Sequence, residues 1–287
     1  LRILSVLAAI ATVALCASAR AIAGPEAFVD AGAKVAGHPD LTYLDVVKQV
    51  VPDLAPSADG KSVEGHLPAT LRALEGKASD DDPPDPATLD DLETLPFRSG
   101  GKPRLALLAD FGHSDERVED FALLMVFDDS GPAPRLLDAG FVGIDKDTAF
   151  SEHPLIALGP GDDAIVTYSE HFNSDQTYAG WMISVLHGRR LRMVAEEHLL
   201  SERLCGYERD ETPAFTTRAV PGSPYRELIV TVTEQVTHND EDCGDDKIPS
   251  ISKHVYVDSW RWDARRGRFV QRRDGSSRLD KKNEARF

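Results

Sequence analysis

Residues 164–198 read AIVTYSEHFNSDQTYAGWMISVLHGRRLRMVAEEH. Three apolar runs stand out: AIVTYSE (164–170), AGWMISVLH (179–187) and LRMVAEEH (191–198). A polar stretch, HFNSDQTY, separates the first two, and the turn GRR separates the last two. Short runs rich in Val, Ile, Leu and aromatic residues, bounded by turn formers, predict strands, and such short connections predict antiparallel neighbours.

The pattern recurs on both sides. Upstream stand RLALLAD (104–110), FALLMVFD (121–128) and PRLLDAGF (134–141); downstream stand ELIVTVTEQV (227–236), KHVYVDSWRW (253–262) and RFVQR (268–272). In each unit a Phe leads, followed by a Gly-containing turn, a strand, a long polar loop, a second strand, a tight turn and a third strand. The lead residues Phe97, Phe150 and Phe215 are 53 and 65 positions apart. In ELIVTVTEQV, Ile229, Val230 and Val232 fall on both faces, which predicts partial two-sided burial. Residues 104–287 therefore read as a mainly β domain of about three antiparallel meander repeats, arranged propeller-like or as a sandwich.

The preceding residues divide into three. The opening LRILSVLAAIATVALCASARAIAG has Arg2, an apolar run from Ile3 to Ala17 and small residues at 17–19 and 21–23. That order predicts a secretory signal over 1–23, cleaved after Ala23, and the run is short of the ~20 residues that span a bilayer. Leu15 rather than a small residue precedes Cys16, which argues against lipoprotein processing there. Residues 24–78 read as a small α-helical region. In HPDLTYLDVVKQVVPDL the apolar residues Leu41, Leu44, Val47 and Val51 recur at helical spacing, with Asp40 as N-cap and Pro52 as stop, and LPATLRALEG (67–76) reads as a second short helix. Residues 79–103, dense in Asp and Pro, read as an acidic linker with one helical turn near Leu89–Leu95.

The net charge is −16, and loss of Arg2 and Arg20 with the signal would take it to −18. Phosphate backbones demand clustered Lys and Arg, so nucleic acid is excluded as a partner. The charge is uneven: residues 261–287 hold ten Lys/Arg against four Asp/Glu. Removal of the signal would leave Cys205 and Cys243, an even pair that in an oxidising compartment predicts a disulfide.

The three long polar loops are equivalent in the repeat: GHSDER (112–117), HFNSDQ (171–176) and HNDEDCGDDK (238–247). Each carries His with Asp and Ser or Asn. They nominate His113, Asp115, His171, Asn173, Asp175, His238 and Asp240 as binding residues, with Trp260, Arg265 and Arg266 on the basic tail. No metal or cofactor is predicted. The acidic loop misses the EF-hand pattern, because Gly244 comes one residue early and Ile251 stands where the Glu belongs. His238 and Cys243 have no second ligand pair for zinc. No G-x-S-x-G elbow occurs, and Ser250-Ile-Ser-Lys253 runs into a predicted strand rather than a helix.

These features predict an exported, periplasmic or secreted binding protein without catalytic activity. Its expected partner is an envelope protein, a glycan or an anionic surface. A hydrolase using the His/Asp/Ser loops, or a structural envelope accessory protein, is the alternative. Export is checked by fractionating cells that express the full chain. A form beginning near Gly24 is expected outside the cytoplasm, and recovery of only the uncleaved chain inside it would refute the signal.

Overall fold

A computed structural model describes residues 29–74, 83–112, 120–239 and 248–285. Antiparallel strands dominate it. Residues 29–74 form β1 (Lys34–Val35), β2 (His38–Thr42), α1 (Tyr43–Val47), β3 (Ala55–Pro56) and β4 (Val63–Gly65), and β5 (Ala87–Thr88) pairs with β4. A four-stranded sheet follows in chain order: β6 (Asp91–Ser99), β7 (Lys102–Asp110), β8 (Ala122–Asp128) and β9 (Arg135–Phe141). An eight-stranded sheet then runs, again in chain order, through β10 (Ala149–Gly159), β11 (Asp162–Asn173), β12 (Gln176–His187), β13 (Arg190–Leu204), β14 (Tyr207–Arg218), β15 (Glu227–His238), β16 (Ser252–Asp263) and β17 (Arg268–Arg273). The helix α2 (Ser277–Glu284) closes the described chain.

The long sheet has a weak seam. β13 and β14 pair only at Glu202↔Arg209, Arg203↔Glu208 and Leu204↔Tyr207, beside their turn. Beyond it the halves fold over each other, so that β10 lies beside β14 and β13 beside β17. Leu158, Val166, Ile183, Val185, Leu228, Val230, Trp260 and Leu279 fill the space between the halves. The opposite face of β10–β13, through Ile165, Met182, Leu186 and Leu191, packs on Leu95, Phe97, Leu108, Leu124 and Val126 of the four-stranded sheet. The far face of that sheet, through Leu107, Leu123, Met125 and Phe127, receives Val35, Tyr43, Val46, Val47, Val51 and Leu54.

Three local expectations are corrected. The segment 79–103 is not simply a linker, because it contains β6. Leu92, Leu95 and Phe97 are buried there despite the surrounding Asp and Pro. Pro96 is tolerated because β6 is an edge strand that needs its hydrogen bonds on one side only. The N-terminal region is not mainly helical. Its helix is only Tyr43–Val47, started by a capping box between Thr42 and Asp45 rather than by Asp40. Residues 67–74 form no helix; Ala73 instead makes a parallel bridge to Phe141 and Leu74 packs tightly at Gly140. β10 and β14 lie in stretches where no strand was expected, since charged and polar residues interrupt their apolar pattern.

Gly143 tests the packing. A Cβ there would lie 2.2 Å from the Asp120 carbonyl oxygen, a backbone atom that yields only if the β9–β10 connection moves. Gly143→Ala is expected to cost about 1–3 kcal/mol by overpacking. For a domain of this size that lowers Tm by roughly 2–12 °C. Calorimetry checks this; an unchanged Tm would show the connection to be loosely held.

Candidate functional site

The end of the β sheets carrying the β11–β12 hairpin gathers several connections. The β9–β10 connection crosses it: the Asp120 N–H donates to the Asp145 carbonyl (3.0 Å), the Thr148 N–H to the Asp120 carboxylate (3.2 Å), and the Glu170 N–H to the Lys146 carbonyl (2.8 Å). His171 bonds the Asp145 carboxylate through Nδ1 at 2.6 Å and stacks on Tyr178, with centroids 4.6 Å apart and planes 7° off parallel. The hairpin turns at Ser174-Asp175, with Asn173 opposite Gln176 and Ser174 at φ +54°. Beside it the Arg203 N–H donates to the Asp175 carbonyl (2.8 Å). The β13–β14 turn in turn meets the β15–β16 stem: the Asn239 N–H donates to the Gly206 carbonyl (3.1 Å) and its side-chain amide to the Leu204 carbonyl (3.0 Å). His238 Nε2 lies 2.9 Å from the Pro249 carbonyl.

The stems of the 112–117 and 238–247 loops therefore lie along one end with the β11–β12 hairpin, bridged by two connections; residues 171–176, expected as a third long polar loop, instead form the ends of β11 and β12 around a two-residue turn, because their ladder continues to Asn173↔Gln176. His171, Asn173, Asp175 and His238 are on that end. His113, Asp115 and Asp240, with Cys243, lie outside the described residues. Cys205 is in the β13–β14 turn beside the Asn239 bonds. Trp260 is elsewhere, buried between the sheet halves. Arg265 and Arg266 donate their backbone N–H groups to Asp263 in the β16–β17 turn, at the opposite end of β16. A feature not anticipated from the sequence is Phe172, 70% exposed on the β11–β12 hairpin. Its signal was present, since an apolar residue in a polar hairpin has no core to enter.

Elsewhere a concavity of about 610 Å³ opens between the N-terminal segment and the start of β6, lined by Val29, Ala31, Leu44, Val63, Asp90 and Asp91 among others. Burial raises the Asp91 pKa above the ordinary carboxylate range. Asp110, paired with Asp91 in the sheet, is raised by burial and then by the neighbouring Asp120 charge. Glu93, whose Oε2 accepts from the Phe150 N–H at 3.2 Å, is pushed by burial to about 7. Among the described residues no group of three or more His, Cys, Asp or Glu is placed to hold a metal ion. None of their Ser or Cys side chains is shown hydrogen-bonded to His171. Among the same residues, no helix is long and apolar enough to cross a membrane. Comparison with protein-family models, curated proteins and solved structures gives no match to this chain.

Glu93 gives a pH prediction. Its folded pKa of about 7 exceeds its ordinary 4.5. The folded chain therefore keeps a proton that the unfolded chain releases, and this group's contribution to stability falls as pH rises through that window, then levels off. Glu93→Gln removes the titration but keeps an acceptor for Phe150. It is expected to flatten the fall in Tm between about pH 4.5 and 7 and to raise Tm by a few degrees at about pH 8. A slope identical to that of the parent would show Glu93 to be ionised in the fold.

Proposed function

We propose that this protein is an exported periplasmic interaction protein without catalytic activity, which binds its partner through the loops gathered at one end of its β domain. The observation that carries the reading is the row of hydrogen bonds through Asp145, Lys146, Asp175, Arg203, Gly206 and Asn239, which sets the loop stems side by side. Loops held by sheet ends present binding residues on a rigid base. Phe172 supplies an exposed aromatic anchor among polar groups, the composition favoured at the centre of interfaces. The expected partner is an envelope protein or a glycan.

The architecture is read as propeller-like units in an open row: β6–β9, β10–β13 and β14–β17. In its favour, Phe97, Phe150 and Phe215 occupy the first strand of each unit, and those strands lie next to one another. A disulfide between Cys205 and Cys243 belongs to the same reading. Its support is that Asn239 ties the stem of the acidic loop to the Cys205 turn.

A photoreactive residue at Phe172 tests the proposal in cells expressing the full chain. It is expected to give a discrete cross-linked product, whereas the same residue at Arg189, in the β12–β13 turn at the other end, gives none. Equal labelling at both positions, or labelling at neither, refutes the loop end as the binding surface.

A further inference from the structure

The last two strands leave part of an edge open. β16 pairs with β15 from Ser252 to Trp260, but with β17 only from Ser259 to Asp263. On the β17 side, no described strand pairs with residues 252–258. Every second residue of a strand turns its N–H and C=O to a given side, so among the described residues no strand pairs with the groups that residues 252–256 turn this way. Gly275 covers the edge at Val257, where a Cβ on it would lie 2.6 Å from the Val257 nitrogen and oxygen. At His254–Val257 the edge borders a groove of about 540 Å³ between β16 and α2.

Its lining has a definite character. Val255 is 57% exposed in its wall, a large apolar side chain left in water. Arg273, Arg278 and Lys282 stand around it, against one acid, Asp274. Lys282 is committed to Glu234 (2.9 Å) and Tyr256, whereas Arg273 and Arg278 are exposed and make no ion pair among the described residues. Two uncommitted guanidinium groups thus stand beside this edge in a chain of net charge −16.

We propose that this groove takes an extended acidic segment of a partner protein, added as a strand along β16. Main-chain hydrogen bonds to residues 252–256 would hold the segment, Val255 would receive a small apolar side chain, and Arg273 and Arg278 would pair with its Asp or Glu residues. The surface lies beside β16 and α2 and includes none of the loop-end residues Asp145, His171, Phe172 or Asp175, so its test is separate from that of the loop end.

The test uses the full chain and a fluorescent seven-residue peptide of alternating Asp and Val. Fluorescence anisotropy at low salt is expected to show saturable binding. The double variant Arg273→Glu/Arg278→Glu should weaken it at least tenfold, and Phe172→Ala should leave it unchanged. N-methylating alternate peptide nitrogens, which removes strand donors but not charge, should also weaken it at least tenfold. No saturable binding overturns the proposal. Binding lost on charge reversal but indifferent to N-methylation overturns the strand and leaves a plain electrostatic patch. Equal Arg273- and Arg278-dependent binding to anionic phospholipid vesicles assigns the groove to a membrane surface instead. Self-association that the double variant abolishes assigns it to a second copy. Either result refutes an acidic partner segment.

Discussion

The structure depends on one constraint: the middle strands, β10–β13, must be buried on both faces. Ile165, Met182 and Leu186 point to the four-stranded sheet, while Val166, Ile183 and Val185 point to the folded-over half of their own sheet. Each such side chain contributes roughly 1.5–3 kcal/mol when removed from water. A sheet with one wet face would forfeit half of that. The three meanders are therefore stacked in a row, and the outer two need covers: residues 29–74 on one flank, α2 with Leu279 on the other.

Folding the eight-stranded sheet over itself places charge at the seam. Arg209 of β14 sits between Glu202 of β13 and Glu234 of β15, and Lys282 of α2 reaches Glu234 and Tyr256. Glu227 similarly takes Arg218 and Arg261. The buried Arg209–Glu202 pair adds little net stability, but removing one partner of such a pair costs about 3–5 kcal/mol, so it penalises any other pairing of β13 with β14. Glu197 shows the other solution to buried charge. Burial, with Asp258, Asp280 and Asp274 nearby, pushes its pKa to about 8. It sheds its charge rather than finding a counter-ion, while Asp258, fully buried, accepts from the Gly275 and Ser276 N–H groups and fixes the start of α2.

The same packing distributes the chemistry. Loops at the end of the stack carry histidine, acid, amide and one exposed aromatic, held by the β9–β10 and β13–β14 connections. The last unit instead turns its cations outward beside an incomplete strand edge. The two proposed surfaces would differ in recognition physics: polar and aromatic contact at the loop end, backbone pairing and charge on the flank.

Much of this was legible in the sequence. Every strand expected between 104 and 272 is present within a few residues, because Val, Ile and aromatic runs between tight turns leave little alternative. The long polar loop expected over 171–176 is instead the paired ends of β11 and β12 around a two-residue turn. What the sequence concealed were β6, β10 and β14, whose Pro96, Glu152 and Asp210 break the local pattern. These first strands of each unit are specified by neighbours across the sheet, not by their own composition. The helix expected over 67–76 was lost for the same reason, since Leu74 is buried through contact with the sheet edge rather than through helical periodicity. The burial of Trp260, the pairing of His171 with Asp145 and the open edge beside Arg273 and Arg278 each join residues far apart in the chain. Local sequence determines which segments become strands and where they turn; only tertiary packing decides which faces are covered, because a side chain's environment comes from whatever lands against it.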